Sequence, residues 1–173
     1  MIVDKYRTSI FDVNRQSGYP NEISSADYIT HISESHFKGG SMLYRKKEMH
    51  DGWVFRRGDI YLANLNPFRG SEQGGTRPVL VLQNNAGNLY APTLIIAPIT
   101  SQLHKLGQPT HYLIRKEGGL FRDSMVELEQ IRTIDKSRVE FYIGRISRET
   151  MKKIDEVITV SLGMEVIEDV EAP

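Results

Sequence analysis

The chain has 173 residues, no cysteine, 39% hydrophobic and 25% charged residues, and a formal net charge of zero. That length suits one domain with a core of its own, and the composition is that of an ordinary globular protein. Disulfides and thiol chemistry are excluded, and with no apolar run near membrane length and no signal-like core in residues 1–10, the expectation is a cytoplasmic protein without a membrane partner.

Residues 1–53 differ from the rest. Breakers at Gly18-Tyr19-Pro20-Asn21 and Gly39-Gly40-Ser41 flank a weak helical spacing over 23–35. We expect an N-terminal extension, partly disordered or packed on the domain, with Trp53 anchoring the junction. From residue 54 the pattern becomes strand-rich. Apolar alternation predicts strands over 59–65, 79–83, 93–99, 110–114, 125–130 and 139–143, with a turn at 133–137 before the last. A helix follows, N-capped by Ser147 with Glu149 in its first turn, presenting Met151, Ile154, Val157, Ile158 and Leu162, and stopped by Gly163. Residues 165–173 form an acidic tail. Between 54 and 164, fifteen Lys/Arg against eleven Asp/Glu give a charge of +4, compatible with RNA binding and equally with an ordinary surface. Short strands closed by one helix predict a mainly β, α+β domain with a strongly curved sheet or small barrel.

The chemistry concentrates in RGDIYLANLNPFRGSEQGGTRPVLVLQ, residues 57–83. Its two strands enclose a loop of turn formers and polar groups, and a loop of that length is either functional or disordered. The loop delivers Arg77 against Pro78, which biases the preceding residue toward extended backbone. A fixed guanidinium beside glycines and a carboxylate suits a phosphate; equally, Arg77 suits a salt bridge to Glu72 or Asp59. Glu72 reads as an orienting group, a proton acceptor or a solvated carboxylate. Thr100, at a strand end, reads as a phosphate donor or a turn cap.

This stretch resembles the MazF/PemK family of toxin endoribonucleases. The likeness runs on through APTLIIAPIT, PTHYLI, DSMVELEQIRTID and VSLGM, and so covers roughly residues 54–164. It implies an SH3-like barrel of the MazF/PemK/CcdB plasmid-maintenance type and a homodimer. The implied activity is metal-independent, ribosome-independent, sequence-specific cleavage of single-stranded RNA to 2′,3′-cyclic phosphate and 5′-hydroxyl ends. The implied protein partner is a MazE-like antitoxin, with which such toxins bind DNA. Arg77 and Thr100 take catalytic roles from the resemblance, with Glu72 positioning Arg77. Ser71, Gln73, Gly74, Gly75, Phe68, Ser101, Gln102, Ser124, Glu129 and Gln130 are candidates for RNA contact through hydrogen bonding or base stacking; Tyr90 is a weaker stacking candidate. The related CcdB toxins, which inhibit DNA gyrase by protein contact, define the alternative of a non-catalytic binder, and a degenerate toxin acting as a regulator is another. His31, His36, His50, His104 and His111 show no metal-binding spacing, so no metal and no cofactor are expected.

Overall fold

The computed structural model describes residues 44–103 and 107–164. The expected helical spacing over 23–35, His104 and the acidic tail lie outside the described residues. Seven strands form one sheet: β1 Asp59–Asn64, β2 Thr76–Val81, β3 Thr93–Thr100, β4 His111–Ile114, β5 Ser124–Glu127, β6 Arg132–Asp135 and β7 Val139–Arg145. Among the described residues two α-helices accompany it, α1 Asn85–Tyr90 and α2 Arg148–Ser161. The strands are hydrogen-bonded in the order β4-β5-β3-β2-β1-β7, and β6 joins β3 alongside β5. All the pairings are antiparallel. Two register shifts between β1 and β7 add twist to that pair, as bulges do, and help bend the sheet toward the barrel-like form expected.

Alternation along the strands supplies two cores, one on each face. Ile60, Leu62, Leu80, Ala97, Ile99, Val126 and Ile143 point to the face that α2 covers. There Ile154 is fully buried, and Met151, Val157 and Ile158 pack against the same cluster. Ser147 Oγ caps α2 by accepting from the Thr150 amide at 3.1 Å, as its sequence position predicts. Leu162, expected on the apolar face, lies past the last helical turn and is 58% exposed.

Tyr61, Ala63, Leu65, Val79, Val81, Leu94, Ile96 and Ile134 point to the other face, where Met49, Trp53, Phe55 and Tyr142 pack against them. The chain ahead of β1 therefore acts as a cover for this face. Lys47 pairs with Tyr142 on the outer edge of β7. Trp53 Nε1 donates to the Tyr61 hydroxyl at 2.9 Å, which donates to Asp59 Oδ2 at 2.9 Å. Asp59 is 1% exposed and also accepts from the Arg56 amide at 3.0 Å and from Arg145 Nε at 2.6 Å. Burial, reinforced by the neighbouring Asp59 carboxylate, holds the Tyr61 hydroxyl far above its usual pKa, so it stays a donor. Trp53 thus anchors the junction.

Four departures from the sequence expectation exceed two residues. Strand β2 begins at Thr76 and so includes Arg77 and Pro78. The predicted strand 125–130 ends at Glu127 and passes into a 3-10 turn, Leu128–Gln130. The predicted turn at 133–137 is strand β6 followed by a 3-10 turn, Lys136–Arg138. Helix α1 forms between the predicted strands 79–83 and 93–99, where no helix is expected; the Asn84 side chain caps it through the Gly87 amide. Glycine is required where the 118–119 segment crosses β7: a Cβ on Gly119 would lie 2.3 Å from the Ile143 carbonyl oxygen, and one on Gly144 2.4 Å from that of Gly118.

Candidate active site

The loop between β1 and β2 is closed at its base by its own polar groups. Leu65 donates to the Gly75 carbonyl at 3.0 Å, and the Gly75 amide donates to the Asn66 side chain at 2.9 Å. Arg138 donates to the carbonyls of Asn64 and Asn66. At the tip the Glu72 amide donates to the Arg69 carbonyl, while the Glu72 carboxylate accepts from the Arg69 amide at 3.0 Å. Glu72 thus folds the tip and stays exposed. It does not hold Arg77, and among the described residues Arg77 makes no ion pair with it or with Asp59, whose partner is Arg145.

Arg77 is held by its sequence neighbours instead. Its Nε donates to the Gly74 carbonyl at 2.7 Å, and its Nη1 donates to Gln73 Oε1. The Gln73 amide is oriented in turn, because its Nε2 donates to Glu127 Oε1 at 2.9 Å. Gln130 ties the loop to the β5–β6 connection, accepting from the Gln73 amide at 3.3 Å and donating to the Ser71 carbonyl at 3.4 Å. Gly74 is buried under the Phe68 ring, and a Cβ there would come within 2.0 Å of it. Phe68 itself is 51% exposed, and Tyr90 is 75% exposed at the end of α1.

Strand register decides what meets Arg77. Val79 lies opposite Pro98 at the end of the β2–β3 ladder, and Arg77 and Thr100 each lie two residues beyond that last pair on their own strands. Thr100 in turn pairs with Met125 on β5, and Glu127 pairs with His111 on β4. Residues directly opposite share a face, and so do residues two apart. Arg77, Thr100, Glu127 and His111 therefore project to one side of the sheet. Thr100 Oγ1 accepts from the Gln102 amide at 3.1 Å, capping the turn and leaving its hydroxyl proton free to donate elsewhere.

Glu127 and His111 were not among the sequence candidates. Glu127 is 7% exposed, and burial, followed by the neighbouring Glu129 carboxylate, raises its pKa against the opposing pull of His111, Arg77 and Gln73. His111 Nε2 lies 2.8 Å from Glu129 Oε1. No local spacing reveals this group, since His111 is remote in sequence from both glutamates. Ser101 and Ser124 fall elsewhere. They line a small cleft with Tyr44, Pro78, Ile99 and Arg122, of which Pro78 and Ile99 alternate along their strands with Arg77 and Thr100. Ser124 is buried and donates to the Arg122 carbonyl at 3.0 Å.

The sequence model of a family described as PemK-like, MazF-like toxin of type II toxin–antitoxin system matches residues 56–162. Residues 44–55, which cover the second face, precede that match. An Endoribonuclease MazF from Staphylococcus saprophyticus subsp. saprophyticus is 48% identical over 115 residues, covering 66% of this chain and 96% of that protein. Among solved structures, MazF (Form-I) from Deinococcus radiodurans is similar with a TM-score of 0.57 and 27% identity, covering 65% of this chain and 99% of that one. The MazE–MazF (Form-II) structure from the same organism gives 0.53 and 27%, with the same coverage. A mycobacterial endoribonuclease in complex with its cognate antitoxin shares the fold at a TM-score of 0.54 and 24% identity, covering 64% of this chain and 96% of that one.

Proposed function

The chain belongs to the PemK-like, MazF-like family of toxins of type II toxin–antitoxin systems, and from that premise we propose how it works as an endoribonuclease. The substrate is single-stranded RNA, cut at a preferred sequence without the ribosome. The RNA's own 2′-hydroxyl oxygen attacks the adjacent phosphorus, and the bond from phosphorus to the 5′-oxygen breaks. The products are a 2′,3′-cyclic phosphate and a 5′-hydroxyl. The nucleophile comes from the substrate, so the reaction needs no metal-bound water.

The observation that carries this reading is the Arg77 guanidinium, held by Gln73 and Gly74 on the same face of the sheet as Thr100. A guanidinium keeps its charge at any working pH, so its role is to stabilise the extra negative charge of the phosphorane. Thr100 donates its hydroxyl proton to a non-bridging phosphate oxygen. Glu72, exposed at the loop tip, is the carboxylate we assign to the proton of the 2′-hydroxyl, which passes back to the leaving 5′-oxygen. Phe68 offers a half-exposed ring for base stacking, and Glu129 and Gln130 offer hydrogen-bonding groups. Ser71, Gly75 and Gln102 are the further candidates for contact with the RNA.

A homodimer, control by a MazE-like antitoxin and a cytoplasmic location complete the proposal. Among the described residues no helix is long and apolar enough to cross a membrane. The test is cleavage of naked RNA by the purified full-length protein in EDTA, with both product ends mapped. Arg77→Ala should lower the rate on the order of a hundred- to a thousandfold. Cleavage by that variant at the parental rate, with its fold confirmed by circular dichroism, would overturn the mechanism.

A further inference from the structure

We propose that His111, Glu127 and Glu129 form a binding site for one divalent cation of the zinc class, beside the loop that carries Arg77. One ligand atom from each of the three lies within 4.8 Å of the other two. The closest pair, His111 Nε2 and Glu129 Oε1, is already at 2.8 Å. The cluster arises because β4 and β5 pair His111 directly with Glu127, while the chain turns out of β5 just before Glu129.

An observation beyond proximity points to a ligand. Glu127 is 7% exposed, yet its Oε2 has no hydrogen-bond partner, although Oε1 is taken by Gln73. The His111 side chain is 4% exposed, and its Nδ1 also lacks a partner. Buried polar atoms are nearly always paired, and the Glu127 Oε2 orphan is the one that a cation held between Glu127, Glu129 and His111 Nε2 would satisfy, since an imidazole gives one nitrogen to one ion. Of the nearby charges, the Glu127 and Glu129 carboxylates favour a cation and the Arg77 guanidinium opposes one; the ion would separate the glutamates and satisfy Glu127 Oε2.

The donor set narrows the cation. Zinc accepts imidazole nitrogen and carboxylate oxygen at about 2.0–2.2 Å in a four-coordinate shell, where neighbouring ligands sit roughly 3.3 Å apart. Small side-chain adjustments bring three atoms now within 4.8 Å to that spacing. Magnesium and calcium prefer a shell made of oxygens, and more of them than two glutamates provide. Glu129 is exposed and leaves the fourth position open to water and the ion a path of access.

The experiment is a calorimetric titration of the full-length, chelator-stripped protein with zinc chloride, with thermal unfolding followed in parallel. One ion per chain should bind at micromolar zinc and raise Tm, because a ligand of the native state stabilises it. Glu127→Gln and His111→Asn should each weaken binding by about tenfold or more, as loss of a charged or imidazole ligand requires. Binding should also weaken as pH falls and protons compete for the same atoms. No saturable binding, or undiminished binding by folded variants, would overturn the proposal; the latter would place zinc on other histidines. If Glu127→Gln does not fold, Glu129→Gln at the exposed ligand carries the same expectation. The readout is heat and melting, so its failure leaves the ribonuclease reading untouched.

Discussion

Gln73→Ala isolates the support of Arg77 from Arg77 itself. The Gln73 side chain joins two groups, accepting from Arg77 Nη1 and donating to Glu127 Oε1 at 2.9 Å. Its backbone amide bond to Gln130 survives the substitution, and so does the bond from Arg77 Nε to the Gly74 carbonyl. The variant therefore keeps the cation and its first tether and loses the second. A hydrogen bond to a charged group contributes about 1.5–3 kcal/mol. If that bond serves to aim the guanidinium at the transition state, kcat should fall by roughly ten- to a hundredfold with KM changed much less. Single-turnover cleavage of an end-labelled transcript over a range of enzyme concentrations separates the two constants. Gln73→Glu is the paired control: it can still accept from Arg77, but as a carboxylate it faces Glu127, so its defect should deepen as pH rises. If folded Gln73→Ala cleaved within about twofold of the parent, the bridge from Glu127 through Gln73 to Arg77 would have no part in orientation.

Asp59→Ala removes a buried acceptor from three donors, Arg56, Tyr61 and Arg145; breaking such a network costs about 3–5 kcal/mol and should lower Tm by about 10 °C or more, whereas a loss under about 3 °C would contradict it. Glu117 differs in sign from Glu127. Burial raises the Glu117 pKa, but hydrogen bonds from Thr150 and Ser147 outweigh it and leave the pKa lowered. Its stabilisation is present above the unfolded carboxylate pKa and lost as pH falls through the folded one. Glu117→Gln should flatten the acid limb of a urea-denaturation profile, and an unchanged limb would argue against the cap. Glu127 is raised by burial and Glu129, so its favourable contribution is present below the unfolded pKa and disappears as pH rises through the folded value. With chelator present, Glu127→Gln should therefore gain stability relative to the parent as pH rises above the carboxylate range, a trend the same denaturation series can reverse or sustain.

Local chemistry made much of the architecture legible. Alternation marked β1 and β3 because their buried residues repeat every second position on a face with its own core. Ser147 marked the start of α2 because a cap is a contact between residues three apart. Strand β6 escaped detection because only Ile134 of its four residues is buried, and its partners in β3 are some forty residues earlier. The RGD…TRP stretch and the motifs after it carried the family resemblance, since they are strings of adjacent residues. What Arg77 touches was a different matter. Glu72 and Gln73 are neighbours in one loop, and composition favours the carboxylate as the partner of a guanidinium. The fold of the tip spends Glu72 on the Arg69 amide and turns Gln73 toward Arg77, with Glu127 from another strand fixing which end of the amide faces the cation. The pairing of His111 with Glu127 depends on the register of β4 against β5, and the shared face of Arg77 and Thr100 on the register of β2 against β3. Register is set by which residues each face's core accepts across the whole sheet, because a slip of one residue would move every side chain to the opposite face, and no window of local sequence contains that constraint.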